Sequence, residues 1–156
     1  MSQKEENMED TVKLLNTRPK AREFAFELLF AKTFAPDEPA DSFFAHELEN
    51  ADAELGEQID YVRKVFFGVE ENIVALDEKI ASAAVGWSVS RLSKTSVSIM
   101  RLAVYEMMNV NDVPKRVALN EAVELAKKFD DDKASGFING VLNNIAKSLP
   151  DRECDK

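Results

Sequence analysis

Two stretches hold the side chains best suited to chemistry. Arg18-Pro19-Lys20-Ala21-Arg22 carries three cations within five residues. Gly86 to Arg101 holds Arg91, Lys94 and Arg101 without an acid, and Thr95 and Ser96 add hydroxyl donors. Guanidinium binds phosphate as a planar fork and ammonium as a point charge, so both stretches suit a nucleic-acid backbone. Catalysis finds little to work with. The one histidine, His46, sits in an acidic segment and reads as a solvated helix residue rather than the base of a nucleophilic triad. Glu121 and Glu124 are three apart on one predicted helix, where two carboxylates can meet a metal. The Glu-x-x-His pairs of di-iron bundles are missing, and exposed or capping roles suit these two better. No glycine-rich loop is present to cradle a phosphate, and the lone Cys154 has neither a disulfide partner nor zinc-ligand spacing. The expectation is a protein that is not an enzyme and needs no cofactor or metal.

Charge at first argues against nucleic acid. The chain has 156 residues and a net charge of −9, and a uniformly acidic surface repels phosphates. The distribution changes that reading. Asp37, Glu38, Asp41, Glu47, Glu49, Asp52, Glu54, Glu57 and Asp60 lie between Pro36 and Asp60 with no Lys or Arg among them. These nine carboxylates equal the whole excess, so the rest of the chain balances to zero. Screening acts over roughly 8–10 Å at physiological salt, so a basic patch can work on an acidic chain. Single-stranded RNA also calls for stacking rings. Phe129 and Phe137 flank Asp130-Asp131-Asp132, but their helical spacing reads as core.

These residues must be positioned by helices. Apolar residues at 45% and few Gly or Pro predict one globular, regularly structured domain, with no alternation of period two long enough for a strand. Residues 1–17 read as a flexible acidic extension, 18–150 as a single helical domain and 151–156 as a C-terminal tail. Phe24, Leu28 and Ala31 form one apolar row, widened by Phe26, Leu29 and Phe30, in a helix stopped by Pro36 and Pro39. Asp41 is a candidate cap for a short helix with Phe43, Phe44 and Leu48. From Gly56 the row Ile59, Val62, Phe66, Val69, Ile73, Leu76 and Ile80 runs to Gly86-Trp87, with Gly68 expected to bend or split it. Ser93 is placed to cap a helix so broadly apolar that it should be central. Pro114 suits a first helical turn, and the aspartates suit the start of the last helix, which ends before Pro150. No signal core or membrane-length apolar run appears, so the expected location is cytoplasmic.

The second half of the chain resembles the NusB family. Ile99-Met100-Arg101-Leu102-Ala103-Val104-Tyr105-Glu106-Met107 looks like its central helix. Asp112-Val113-Pro114 with Val117-Ala118-Leu119-Asn120-Glu121-Ala122-Val123-Glu124-Leu125-Ala126-Lys127 resembles its "DVP…INEAVELAK" signature, and Phe137-Ile138-Asn139-Gly140-Val141-Leu142 its "FVNGVL". Ala21-Arg22-Glu23-Phe24-Ala25 and Gly68-Val69 are similar to two further elements, and the likeness covers about residues 18–149. The resemblance implies an all-α fold of about seven helices in two packed subdomains. It implies a transcription antitermination factor that binds boxA-type single-stranded RNA of ribosomal RNA transcripts. Its implied partners are the ribosomal small-subunit protein NusE and the RNA polymerase antitermination complex. It puts RNA contacts on Arg18, Lys20, Arg22, Lys94, Thr95, Arg101 and Lys133. The N-terminal run departs from many members, because Pro19 interrupts it. Members occur as monomers and homodimers, which leaves a homodimer open. The same fold serves as the RNA-binding module of ribosomal RNA cytosine methyltransferases, and on that alternative this chain, ending at Lys156, is expected to be a fragment. A further alternative is a protein-interaction module that docks a basic partner on its acidic segment. Of the signature residues, Gly140 is expected to permit close helix packing, since glycine inside a helix costs about 1 kcal/mol against alanine. Asn120, Asn139 and Tyr105 are likewise assigned to the fold.

Overall fold

In the computed structural model of the chain, residues 16–49 and 51–156 are described, so the expected extension lies almost wholly outside them. Eight α-helices follow one another among these residues: α1 (Arg18–Lys32), α2 (Ala40–Leu48), α3 (Asp52–Leu55), α4 (Ile59–Glu71), α5 (Ile73–Ala83), α6 (Lys94–Asn109), α7 (Lys115–Phe129) and α8 (Asp132–Ser148). With the single-turn α3 set aside, seven remain, and no strand occurs among the described residues. The fold is all-α. The described residues divide into two compact units, one up to Phe67 and the other from Gly68 to Lys156.

In the first unit α1 and α2 pack together, and Ala21, Ala25, Phe26, Leu28 and Leu29 are buried. Phe24, Phe30 and Ala31 are only half-buried, so the buried row is rotated from the one expected. The helix stops before the prolines: Lys32 donates from Nζ to the carbonyls of Ala35 (3.0 Å) and Pro36 (3.5 Å). Asp41 does not cap α2. Pro39 holds that position, and Asp41 lies within the first turn. Phe44 stacks on Phe66 at 5.2 Å and meets Phe67 at 5.0 Å, forming the aromatic centre of this unit.

In the second unit α6 is the central element. It packs on α5, α7 and α8, and Ser96–Met100 and Leu102–Met107 are all buried. Ser93 caps it as expected, its hydroxyl accepting the Ser96 N–H at 3.0 Å. The row from Ile59 to Ile80 forms two helices, but the split is not at Gly68: α4 continues through it to Glu71 and the break falls at Asn72. A Cβ at Gly68 would overlap the ring of Tyr105, so glycine is needed there for close approach. Burial, and secondarily the charge of Glu71, raises the Tyr105 hydroxyl pKa above its ordinary value. Gly140 contradicts its expected packing role, because a Cβ there would meet nothing within 4 Å. Asn120 and Asn139 are exposed as well, so they are not fold residues of the kind expected.

The six C-terminal residues are tied to this unit. Arg152 donates to the carbonyls of Val113 (2.6 Å), Val110 (2.9 Å) and Glu106 (3.3 Å) at the end of α6. Buried Lys115 donates to the carbonyls of Leu149 (3.0 Å) and Pro150 (3.3 Å) and to Asp151 Oδ1 (2.9 Å). Asp155 accepts the Lys115 N–H at 2.7 Å and the Arg152 N–H at 2.9 Å. Burial pushes the Asp155 carboxyl upward, but those two amides and the Arg152 guanidinium outweigh it and hold the pKa below the usual aspartate value.

Candidate nucleic-acid interface

The first unit carries the N-terminal cations on the opening turns of α1, where no acid falls in the first turn. Arg18 Nε donates to Gln58 Oε1 at 2.8 Å, and its guanidinium lies 4.2 Å from the centre of the Tyr61 ring. This half-buried cation is held in one geometry by an amide and an aromatic face. Lys20 is half-exposed beside Glu23 at 3.8 Å. Arg22 differs. It is 3% exposed and 5.7 Å from the same Tyr61 ring, so its guanidinium serves the interior rather than a ligand at the surface.

The second unit gathers the other group around the starts of α6 and α8. Lys94 is exposed in the first turn of α6 and Thr95 is half-buried beside it. Both follow Ser93, whose side chain lines a pocket of about 370 Å³ with Trp87, Ser96, Asp130, Lys133 and Phe137. Lys133, near the start of α8, is exposed at its rim. Asp131 caps α8 by accepting the Ala134 N–H at 2.7 Å, which fixes the orientation of that rim. Arg101, two turns along α6, is held away from this role. It makes a two-pronged ion pair with Asp77, both contacts at 2.8 Å, and its side chain is 17% exposed. The Nε–Nη2 edge of the fork is engaged by that one carboxylate.

The aromatics depart from expectation. Phe129, read as core, is 38% exposed, with Lys128 Nζ 5.5 Å from its ring. Phe137 meets Trp87 edge to face at 5.7 Å, and Trp87 is 56% exposed. Trp87 and Asp130 line the pocket but were not singled out by sequence reasoning. The available signal was a large ring placed just after Gly86, outside any helical apolar row. His46 is exposed on α2, as expected, and Glu124 is exposed beside Lys127 at 3.5 Å. Asp37, Glu38, Asp41, Glu47, Glu49, Glu57 and Asp60 are all exposed, which keeps the acidic segment solvated.

The NusB family profile matches residues 19–147. A transcription antitermination protein NusB from Clostridium botulinum (strain Alaska E43 / Type E3) is 40% identical over 131 residues, 83% of this chain and 98% of the relative. One from Bacillus velezensis (strain DSM 23117 / BGSC 10A6 / LMG 26770 / FZB42) is 43% identical over 133 residues, covering 85% and 97%. Among solved structures, T. maritima NusB superposes with a TM-score of 0.72 at 30% identity, covering 85% of this chain and 92% of that one. A complex of the antitermination factors NusB and NusE with double-stranded RNA superposes with a TM-score of 0.68 at 27% identity, covering 85% and 97%. With the helix order and signature residues already in place, these matches make the chain a member of the NusB family.

Proposed function

We propose that this chain is a transcription antitermination factor that binds boxA-type single-stranded RNA of ribosomal RNA transcripts. It acts together with the ribosomal small-subunit protein NusE in the cytoplasmic RNA polymerase antitermination complex, and it performs no catalysis. Relatives carry the antitermination name, and a structural neighbour holds NusE and RNA. The observation in this chain that carries the reading is the aromatic-walled pocket of the second unit. Lys133 lines it, and Lys94 and Thr95 follow its lining residue Ser93 in the first turn of α6, which supplies stacking surface and phosphate-binding charge together. Direct contacts are assigned to Arg18, Lys20, Lys94, Thr95 and Lys133. Arg22 and Arg101 are assigned positioning roles, because burial and the Asp77 pair engage their guanidinium groups inside the protein.

A gel-shift titration of boxA RNA, with and without NusE, tests the reading. A shift that strengthens when NusE is added is expected. Absence of any shift at low salt under both conditions, with a folded protein, overturns it.

A further inference from the structure

The pocket at the start of α8 contains an acceptor that phosphate contact does not use. Asp130 Oδ2 accepts from the Ser96 hydroxyl at 3.2 Å and lies 3.5 Å from the Ser93 hydroxyl. Its Oδ1 accepts the Asp131 N–H at 3.0 Å. The carboxylate is thus aimed by two elements, the first turn of α6 and the loop before α8. It lines the same cavity as Trp87 and Phe137. An ionised carboxylate only accepts hydrogen bonds and has about four lone-pair sites; these contacts use two on Oδ2 and one on Oδ1, and the Ser93 contact, long at 3.5 Å, is the one a ligand donor would displace to reach Oδ2.

We propose that this pocket is a base-selective slot for a guanine of single-stranded RNA, with Asp130 as the residue that selects it. The inference rests on the RNA-binding reading and goes beyond it by naming the base. Asp130, Asp131 and Asp132 together repel phosphate, so what enters beside Trp87 is an uncharged heterocycle, with its backbone turned toward Lys94 and Lys133. Trp87 supplies a large, half-exposed ring for stacking, and every base has a face to stack. The edge decides among the bases. Guanine presents N1–H and the N2 amino group side by side, two donors matched to two carboxylate oxygens. Adenine and cytosine present one amino group next to a ring-nitrogen acceptor, and uracil one N–H between two carbonyls. An acceptor-only group repels those neighbouring lone pairs.

Trp87 is the only tryptophan, so its fluorescence reads this pocket directly. The full chain is titrated with short single-stranded RNAs that differ only in one guanine, kept or replaced by inosine or adenine, with NusE present and absent. Gel shifts run in parallel. The guanine RNA is expected to quench Trp87, and each replacement to weaken binding about tenfold. Asp130→Asn should erase that preference and, because it removes a carboxylate that repels phosphate, should let the guanine-free RNAs bind at least as tightly as they bind the parent; a guanine preference that survives it overturns the role of Asp130. Circular dichroism checks its fold, and Trp87→Phe should bind more weakly with the preference retained. GMP alone offers the same edge from a free nucleotide and should quench far more weakly. Binding GMP more tightly than RNA would overturn the assignment to RNA. RNA binding without quenching, or with equal affinity for all three RNAs, would overturn the guanine slot but leave the RNA reading standing. Failure to bind any RNA with or without NusE sinks the RNA reading itself.

Discussion

Replacing Arg152 by alanine removes the clamp that joins the chain's last residues to the end of α6. The guanidinium makes two short bonds, to Val113 O at 2.6 Å and Val110 O at 2.9 Å, and a longer one to Glu106 O at 3.3 Å. Two of these carbonyls keep a second partner, because Glu106 O also accepts from Val110 N–H and Val110 O from Val113 N–H, each at 3.1 Å. The side chain is 18% exposed, so solvent screens it only in part. Two charge-assisted bonds at the low end of about 1.5 kcal/mol each give a loss of about 3 kcal/mol. For a chain of this length that lowers Tm by about 6–12 °C. Thermal unfolding followed by circular dichroism at pH 7 measures it. Arg152→Lys should recover only a minor part, since one ammonium cannot span three carbonyls held by the fork. A Tm within about 2 °C of the parent for Arg152→Ala, or full recovery by lysine, would refute the clamp.

Four further outcomes are expected. The Asp155 carboxyl has its pKa lowered by folding, so its contribution is present above the unfolded value and disappears as pH falls through the folded one. The Tm gap between parent and Asp155→Asn should therefore be widest near pH 7 and close as pH drops below about 4, and a gap that stays constant with pH contradicts this. Gly68→Ala drives a methyl into the Tyr105 ring and should cost about 3 kcal/mol by urea unfolding, partly restored when Tyr105→Ala is added; simple additivity of the two would count against the contact. Ser98 Oγ is buried with no hydrogen-bond partner, so Ser98→Ala should raise stability by about 1 kcal/mol, and a lower urea midpoint would show that the hydroxyl is used. Lys94→Ala with Lys133→Ala should weaken RNA binding and flatten the log–log salt slope by about 1.4; an unchanged slope removes both lysines from the phosphate path.

Several elements could be read before any coordinates because their causes lie within one helical turn. Ser93 sits three residues before the Ser96 N–H that it accepts, and Asp131 stands in the same relation to Ala134. The broad apolar run from Val97 to Met107 announced the central helix, since no polar face was left to turn outward. The same local logic misjudged Gly68. A glycine inside a helical pattern reads as a bend, whereas its reason here is a tyrosine 37 residues downstream. Gly140, Asn120 and Asn139 went wrong in the opposite sense, because their residue types say nothing about whether a neighbour faces them.

By itself, then, the sequence determined the helices, most of their caps and ends, and the family, all of which rest on hydrogen bonds and apolar rows a few residues long. Tertiary structure alone decided which cations are exposed. Arg22 and Lys94 are both basic residues near a helix start, yet one is buried near Tyr61 and the other is exposed. Arg101 meets Asp77 across 24 residues, and Asp130 is aimed by serines 34 and 37 residues away. Charge and hydrogen-bond capacity belong to the residue, but whether they face a ligand depends on partners that only the folded chain brings within reach.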